Sequence, residues 1–281
     1  MTSLNTYPWG ADTLAVMRHR ALLVAVAVVM SACSATVAHE AEPLPDVASP
    51  HSVAPERMLP VRATPEPDDR PRFPGFAETY EGDVALAAMA KGELEVFASR
   101  GEREPLLVLP YENMLGSTTV LGVIGAPVDG WAEVRLAMRP NGTTGWIRID
   151  AVDLFVVPGR IVVDLSDRSL VYYQNGSEAF RAQIAIGSDR SPTPTGEFYV
   201  TDSVTLTRPG TPWGPHALGL SARSTHITEF NGGDGIIAIH GTSNPASIGH
   251  NVSLGCVRLH NDMITRLHAL VPMGTPVEIR A

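Results

Sequence analysis

The 281-residue chain has only two cysteines, Cys33 and Cys256, and no surplus of basic charge. Lys+Arg 21 against Asp+Glu 30 give a formal net charge of −9. That balance excludes a general phosphate-backbone binder, which would carry a basic stripe, so no nucleic-acid partner is expected. The apolar run at residues 21–30 is ten residues long, against the roughly 20 that a membrane-spanning helix needs. Long amphipathic helical patterns are also missing, and Gly 25 with Pro 23 favours β-structure and loops. What the chain does have is ordinary hydrophobic content, 44%, enough for a real core.

The ten-residue run, Ala-Leu-Leu-Val-Ala-Val-Ala-Val-Val-Met, follows Arg18-His19-Arg20. It has the length and flanks of a secretory leader. Ser31-Ala32-Cys33 closes it and resembles a bacterial lipobox, in which the leader is cut and the cysteine takes lipid. Met30 stands where that motif usually has leucine, and plain cleavage nearby is the alternative. Met17 opens a more typical leader than Met1. Residues 1–33 are therefore expected to be a signal peptide ending at a lipidated Cys33. Residues 34–78 are expected to be a disordered tether, with nine prolines between Pro43 and Pro74 among acidic and small residues. Such a segment buries too little apolar surface to fold, and proline stiffens it toward about 3.1 Å per residue.

Two folded regions follow. Within residues 79–157, short apolar segments at 94–97, 106–109, 120–124, 131–136 and 145–149 read as strands. Arg139-Pro140-Asn141-Gly142 supplies a turn before the last. The pair "GWAEVRL" and "GTTGWIRIDAVDL" resembles the bacterial Src-homology-3-type barrel. Trp131 and Trp146 are expected to pack in its core, with a peptide groove as the alternative. Within residues 158–281, strands are expected at 160–165, 169–173, 179–186, 195–200, 236–239 and 277–279. Asn175-Gly176 signals a hairpin. One late helix is expected, capped by Asn261 or Asp262, with Ile264, Leu267, Leu270 and Val271 at helical spacing and Pro272 and Gly274 ending it. The fold class is thus mostly β with one late helix, preceded by a small β-barrel.

With Cys33 given to lipid, Cys256 has no partner. Exported chains usually pair their thiols or lack them, so this thiol is either buried and inert or used. His240 lies sixteen positions upstream, and a Gly/Ser/Asn/Pro-rich loop at 241–253 lets the two meet. A thiol of pKa about 8.5 is mostly protonated at neutral pH, and a nearby imidazole makes it a nucleophile with a base. Gly255 leaves room for a substrate carbonyl, and the N–H groups of Gly255 and Cys256 can meet an oxyanion. No acidic residue stands out as a third partner; a main-chain carbonyl could orient the imidazole instead. A zinc set of His240, His250, Cys256 and His260 fits poorly, because tetrahedral sites use tight ligand pairs. No metal and no cofactor are expected. His216 and His226 read as solvated loop histidines. A papain-like peptidase is disfavoured because there the cysteine precedes the histidine.

"IAIHGT", "SLGCVRL", "HALVPMGTPVEI", "IGSDRSPTPTGEFYV" and "PWGPHALGLS" together resemble the L,D-transpeptidase catalytic domain (YkuD type) of bacterial cell-wall enzymes. The likeness covers about residues 160–279 and implies a mixed-sheet catalytic domain at 158–281. It implies Cys256 as the acylated nucleophile, His240 as its base and the Gly241 carbonyl as the group that orients the imidazole. Arg258 would hold the nucleophile loop or a substrate carboxylate, with Ser253 and Thr242 as further substrate contacts, and "PWGPHALGLS" looks like a lid segment. The upstream barrel is similar to accessory modules of some members. The implied activity joins diaminopimelate residues of peptidoglycan stem peptides through a cysteine thioester, with carbapenems as expected inhibitors. The implied setting is the cell envelope, lipid-anchored at the outer face of the cytoplasmic membrane or in the periplasm. An L,D-carboxypeptidase and a non-catalytic wall-binding lipoprotein are the alternatives. One departure stands out: Leu254 precedes Gly-Cys where the family usually has histidine. A polar contact at the rim is lost, but the main-chain N–H groups survive.

Overall fold

The computed structural model describes residues 85–208, 210–230 and 233–281. The expected signal peptide, the lipobox-like Cys33 and the tether at 34–78 lie outside the described residues. The first region contains β1 (Ala85–Ala90), β2 (Leu94–Val96), β3 (Leu107–Leu109), β4 (Val120–Val128), β5 (Trp131–Arg135), β6 (Thr144–Arg148) and β7 (Val152–Val157). Five of these form a sheet in the order β6-β5-β4-β1-β7, and β2 and β3 form a ribbon. The ribbon is tied to the sheet edge where Phe97 and Trp146 exchange two main-chain hydrogen bonds of 2.8 Å. Alternation places side chains as a strand requires: in β5, Ala132 and Val134 are fully buried while their neighbours are half-exposed. Trp131 and Trp146 depart from the core placement expected of them and are half-buried. The Arg148 guanidinium lies 5.4 Å from the Trp131 ring and that of Arg100 5.2 Å from the Trp146 ring.

The second region contains β8 (Gly159–Asp164), β9 (Ser169–Gln174), β10 (Ser177–Gln183), β11 (Ile186–Gly187), β12 (Gly196–Thr205), β13 (His216–Arg223), β14 (Ile236–His240), β15 (Asn251–Ser253), β16 (Val257–Arg258), α1 (Asn261–Leu270) and β17 (Pro276–Arg280). Eight of its strands make one mixed sheet in the order β10-β9-β8-β17-β12-β13-β14-β16. The β17–β8 and β14–β16 pairs are parallel, and β11 pairs in parallel with β15. Asn175 (φ 50°) and Gly176 (φ 79°) make the expected tight hairpin between β9 and β10. Helix α1 drives Ile264 and Leu267 into a core shared with Leu218, Ile239 and Leu259. Leu270, expected on the buried face, stays 38% exposed. The position before the helix is His260, with no side-chain cap. Asn261 is the first helical residue, and its amide oxygen is used elsewhere, as shown below.

The described residues belong to one compact unit, and the two sheets share a boundary. Tyr199 of β12 is buried among Leu121, Val123 and Ile147 of the first region. An aromatic side chain of this kind removes about 150–250 Å² from water, worth roughly 4–6 kcal/mol as an upper estimate. Met273 packs on a small cluster of Ala85, Ala87, Val120 and Val157. A Cβ added at Gly274 would lie 2.5 Å from the Ala87 methyl. Arg135 of β5 pairs with Glu197 of β12, and the Asn113 amide donates to Asp202 Oδ1 at 2.7 Å.

Candidate active site

His240 is the last residue of β14 and only 4% exposed. Its Nδ1 lies 2.6 Å from the carbonyl oxygen of Gly241. A carbonyl only accepts, so Nδ1 carries the proton and, in the neutral ring, Nε2 is left as an acceptor. Burial, helped by the Arg258 charge, pushes the imidazole pKa down to about 4, against the main-chain hydrogen bonding of Gly241 and Trp213, which raises it. The ring is therefore neutral at pH 7. Trp213 leans on it, with ring centroids 4.6 Å apart.

The short strand β16 runs parallel beside β14, with Ile239 opposite Val257 and His240 opposite Arg258. That register brings Cys256 alongside Ala238, and alternate residues of a strand share a face. Cys256 and His240 line one cavity of about 140 Å³. The thiol is free and half-buried. Burial pushes its pKa up, while a hydrogen bond from the Ala238 main chain and the Arg258 charge pull it down. Thiol and imidazole are thus both neutral at rest.

The turn that carries Cys256 is built from main chain. Gly255 has φ +115°, and a Cβ there would lie 2.9 Å from Ile237 Cδ1. Ser253 is 1% exposed; its hydroxyl accepts from Gly255 N–H at 3.1 Å and donates to the Cys256 carbonyl at 2.6 Å. Ser191 Oγ donates to the Leu254 carbonyl at 2.9 Å, and Ser188 N–H donates to the Ser253 carbonyl at 2.9 Å. The cavity is also lined by Ser224, Ile227, Phe230, Ile236 and Ile237.

The L,D-transpeptidase catalytic-domain (YkuD) family model matches residues 158–279. The putative L,D-transpeptidase YkuD of Bacillus subtilis is 37% identical over 127 residues, covering 45% of this chain and 69% of that protein. The chain belongs to the L,D-transpeptidases. The probable L,D-transpeptidase ErfK/SrfK of Salmonella typhimurium is 32% identical over 138 residues, covering 42% of this chain and 43% of that one. Among solved structures, an L,D-transpeptidase from Mycobacterium tuberculosis H37Rv aligns with 58% of this chain and 90% of its own at 14% identity and a TM-score of 0.38.

In this L,D-transpeptidase the sequence-expected residues divide into two groups. Cys256, His240 and Arg258 line the cavity, and Gly241 holds the imidazole from behind. Gly255 and Ser253 shape the turn: the Gly255 N–H, expected as an oxyanion donor, is engaged by Ser253 Oγ. Cys256 N–H is left as the donor of that pair with no hydrogen-bond partner recorded among the described residues. Ser253, expected as a substrate contact, borders the cavity but spends its hydroxyl on the loop. Thr242, also expected there, is folded into its own turn. Its N–H donates to Asn261 Oδ1 at 2.8 Å, and its hydroxyl accepts from Asn244 N–H at 3.0 Å. His250 and His260 are exposed, and among the described residues no cluster of His, Cys, Asp or Glu is arranged to hold a metal ion. His226 is exposed, and His216 stacks on His268 at 4.3 Å.

Sequence reasoning gave Trp213 and Gly214 no role of their own and read Asn261 only as a helix cap. The Asn261 carboxamide oxygen and the Gly214 backbone press on Gly241, where a Cβ would lie 2.4 Å from Asn261 Oδ1 and 3.0 Å from Gly214 Cα. Two residues distant in sequence, Gly214 and Asn261, therefore crowd the glycine whose carbonyl holds the histidine. The Trp-Gly pair was visible inside "PWGPHALGLS", but its contact with His240 is set by chain crossing alone.

Proposed function

We propose that the enzyme cross-links peptidoglycan stem peptides, with Cys256 as nucleophile and His240 as general base. As Sγ attacks the carbonyl between the diaminopimelate L-centre and the terminal D-alanine, His240 Nε2 takes the thiol proton. The Sγ–C bond forms, the C–N bond breaks, and the imidazolium returns the proton to the departing D-alanine amine. The side-chain amine of a second stem then attacks the thioester, loses its proton to His240 and releases the thiol. Cys256 N–H is the donor best placed for the developing oxyanion. Arg258 has its Nε buried without a hydrogen-bond partner among the described residues, which suits a carboxylate of the stem. The reading rests above all on the fixed tautomer: Nδ1 is held on the Gly241 carbonyl, and Nε2 is left as acceptor in the cavity that also holds the thiol.

Export, lipidation at Cys33 and a place at the cell envelope belong to the same proposal, supported by the leader and the lipobox-like sequence. Intact mass after incubation with a carbapenem tests the nucleophile. A single adduct is expected on the wild type and none on Cys256→Ala; no adduct on either leaves a wall-binding protein. Digestion of purified tetrapeptide stems then separates the activities, with new dimers expected and shortened monomers alone pointing to L,D-carboxypeptidase action.

A further inference from the structure

Three residues that line the cavity, Ser224, Ile227 and Phe230, lie on a loop outside the strands of the catalytic sheet. Strands β13 and β14 pair out to Arg223 and Ile236, and Ser224 N–H donates to the Gly235 carbonyl at 2.8 Å. Beyond that pair the chain leaves the sheet. Inside the loop, Ser224 Oγ accepts from the N–H groups of His226 and Ile227 at 3.3 and 3.0 Å, and Phe230 and Gly233 exchange two bonds of 2.9 Å. Its outside anchors come from the β5–β6 turn of the first region. Arg139 Nη2 donates to the carbonyls of Ser224 and Ile227 at 3.1 and 3.0 Å, and its Nη1 pairs with Asp234. Asn141 meets the main chain of Arg223 twice, donating to its carbonyl and accepting from its N–H at 2.8 Å each. Arg223 returns the contact, with Nη2 donating to the Ala137 carbonyl at 2.6 Å and Nε to Asp234 Oδ2 at 3.0 Å. Asp234 is thereby clamped between two guanidinium groups, one from each region.

We propose that Arg139 and Asn141 of the first region are positioning residues that set the substrate-facing wall formed by Ser224, Ile227 and Phe230. The first region then acts on catalysis by bracing the catalytic cavity. The brace reaches the chemistry in two contacts: Phe230 meets Trp213 edge-on at 6.0 Å, and Trp213 lies on His240. The geometry leaves no slack at its base. Gly235 has φ +57°, and a Cβ there would lie 2.1 Å from the Ile227 carbonyl and 2.8 Å from Arg139 Nη2. A fork of this kind uses several donors in fixed directions, which a lysine ammonium does not reproduce.

This inference rests on the proposed acyl-transfer reading for its kinetic readout, so the test pairs it with one that does not. In the full chain, Arg139→Ala is expected to lower the second-order rate of carbapenem acylation about 10–100-fold, the cost of a wall misplaced by an ångström or less. Alkylation of Cys256 by iodoacetamide, which needs no wall, is expected to stay within about twofold, and Arg139→Lys to fall between Arg139→Ala and the wild type. Amide hydrogen exchange is expected to speed up at residues 224–235 and nowhere else in the catalytic domain. Unchanged exchange at 224–235, or wild-type acylation by Arg139→Ala, overturns the proposal. If the wild type itself takes no carbapenem, the acyl-transfer reading fails, and the exchange data still decide for or against the brace.

Discussion

The two walls of the cavity are made in opposite ways. The nucleophile wall is local: Ser253, Gly255 and Cys256 satisfy one another within four residues, with Ser188 and Ser191 reaching in from the β11 side. The facing wall is borrowed. Its fixed points are a guanidinium and a carboxamide that lie more than eighty residues earlier in the chain. Buried short-range bonds leave the first wall one conformation, since freeing a buried donor or acceptor costs about 1–3 kcal/mol. Side-chain bonds at a half-exposed boundary are individually weaker.

Paired glycine variants give the largest expected contrast. Gly255→Ala puts a side chain at φ +115° and within 2.9 Å of Ile237 Cδ1. Acylation is expected to fall about 100-fold or more, and thiol alkylation to change with it, because the sulfur itself moves. Gly235→Ala strains the other wall. There acylation is expected to drop about tenfold while alkylation stays within about twofold. The contrast between the walls collapses if both variants shift both reactions in parallel.

Acid sharpens the contrast next, because the first wall faces a buried histidine. An unfolded chain binds a proton at His240 near the ordinary 6.5, whereas the folded protein does so only near about 4. Between those values the unfolded state holds more protons, so stability is full above pH 6.5 and is lost as pH falls toward 4. By pH 4.5 the loss from this one group is about 2–3 kcal/mol. Urea unfolding at pH 7 and pH 4.5 is expected to show that excess loss in the wild type and not in His240→Gln. Equal losses in the two would mean that the imidazole is not held neutral by the fold.

The same division governs what could be read in advance. Asn175-Gly176, the alternating β5 and the spacing of Ile264 and Leu267 are local signals, and the structure carries them out. Strand β1 was missed because four of its six residues are alanine, a weak strand former. Its small side chains make sense only against Gly274, whose backbone sits on Ala87. Asn261 looked like a helix cap because that is its commonest local use, yet its amide oxygen is taken by Thr242 N–H across the fold. That Cys256 and His240 come to one cavity was legible from motif and chemistry. Trp213, Arg139 and Asn141 were not, since nothing within their own segments hints at the partner that gives each its role.

Leu254 offers the smallest and most pointed prediction, because the sequence made it the suspect position. Leu254 borders the cavity but is 53% exposed, and its carbonyl is held by Ser191 Oγ at 2.9 Å. Leu254→His is therefore expected to change stability by no more than about 0.5 kcal/mol, as for other exposed sites, and carbapenem acylation by no more than about threefold. Ser191→Ala, which frees the carbonyl rather than the side chain, is expected to cost more on both counts. A large gain in acylation from Leu254→His alone would show that the nucleophile wall lacks a side chain it needs, and that main-chain geometry is not enough to run it.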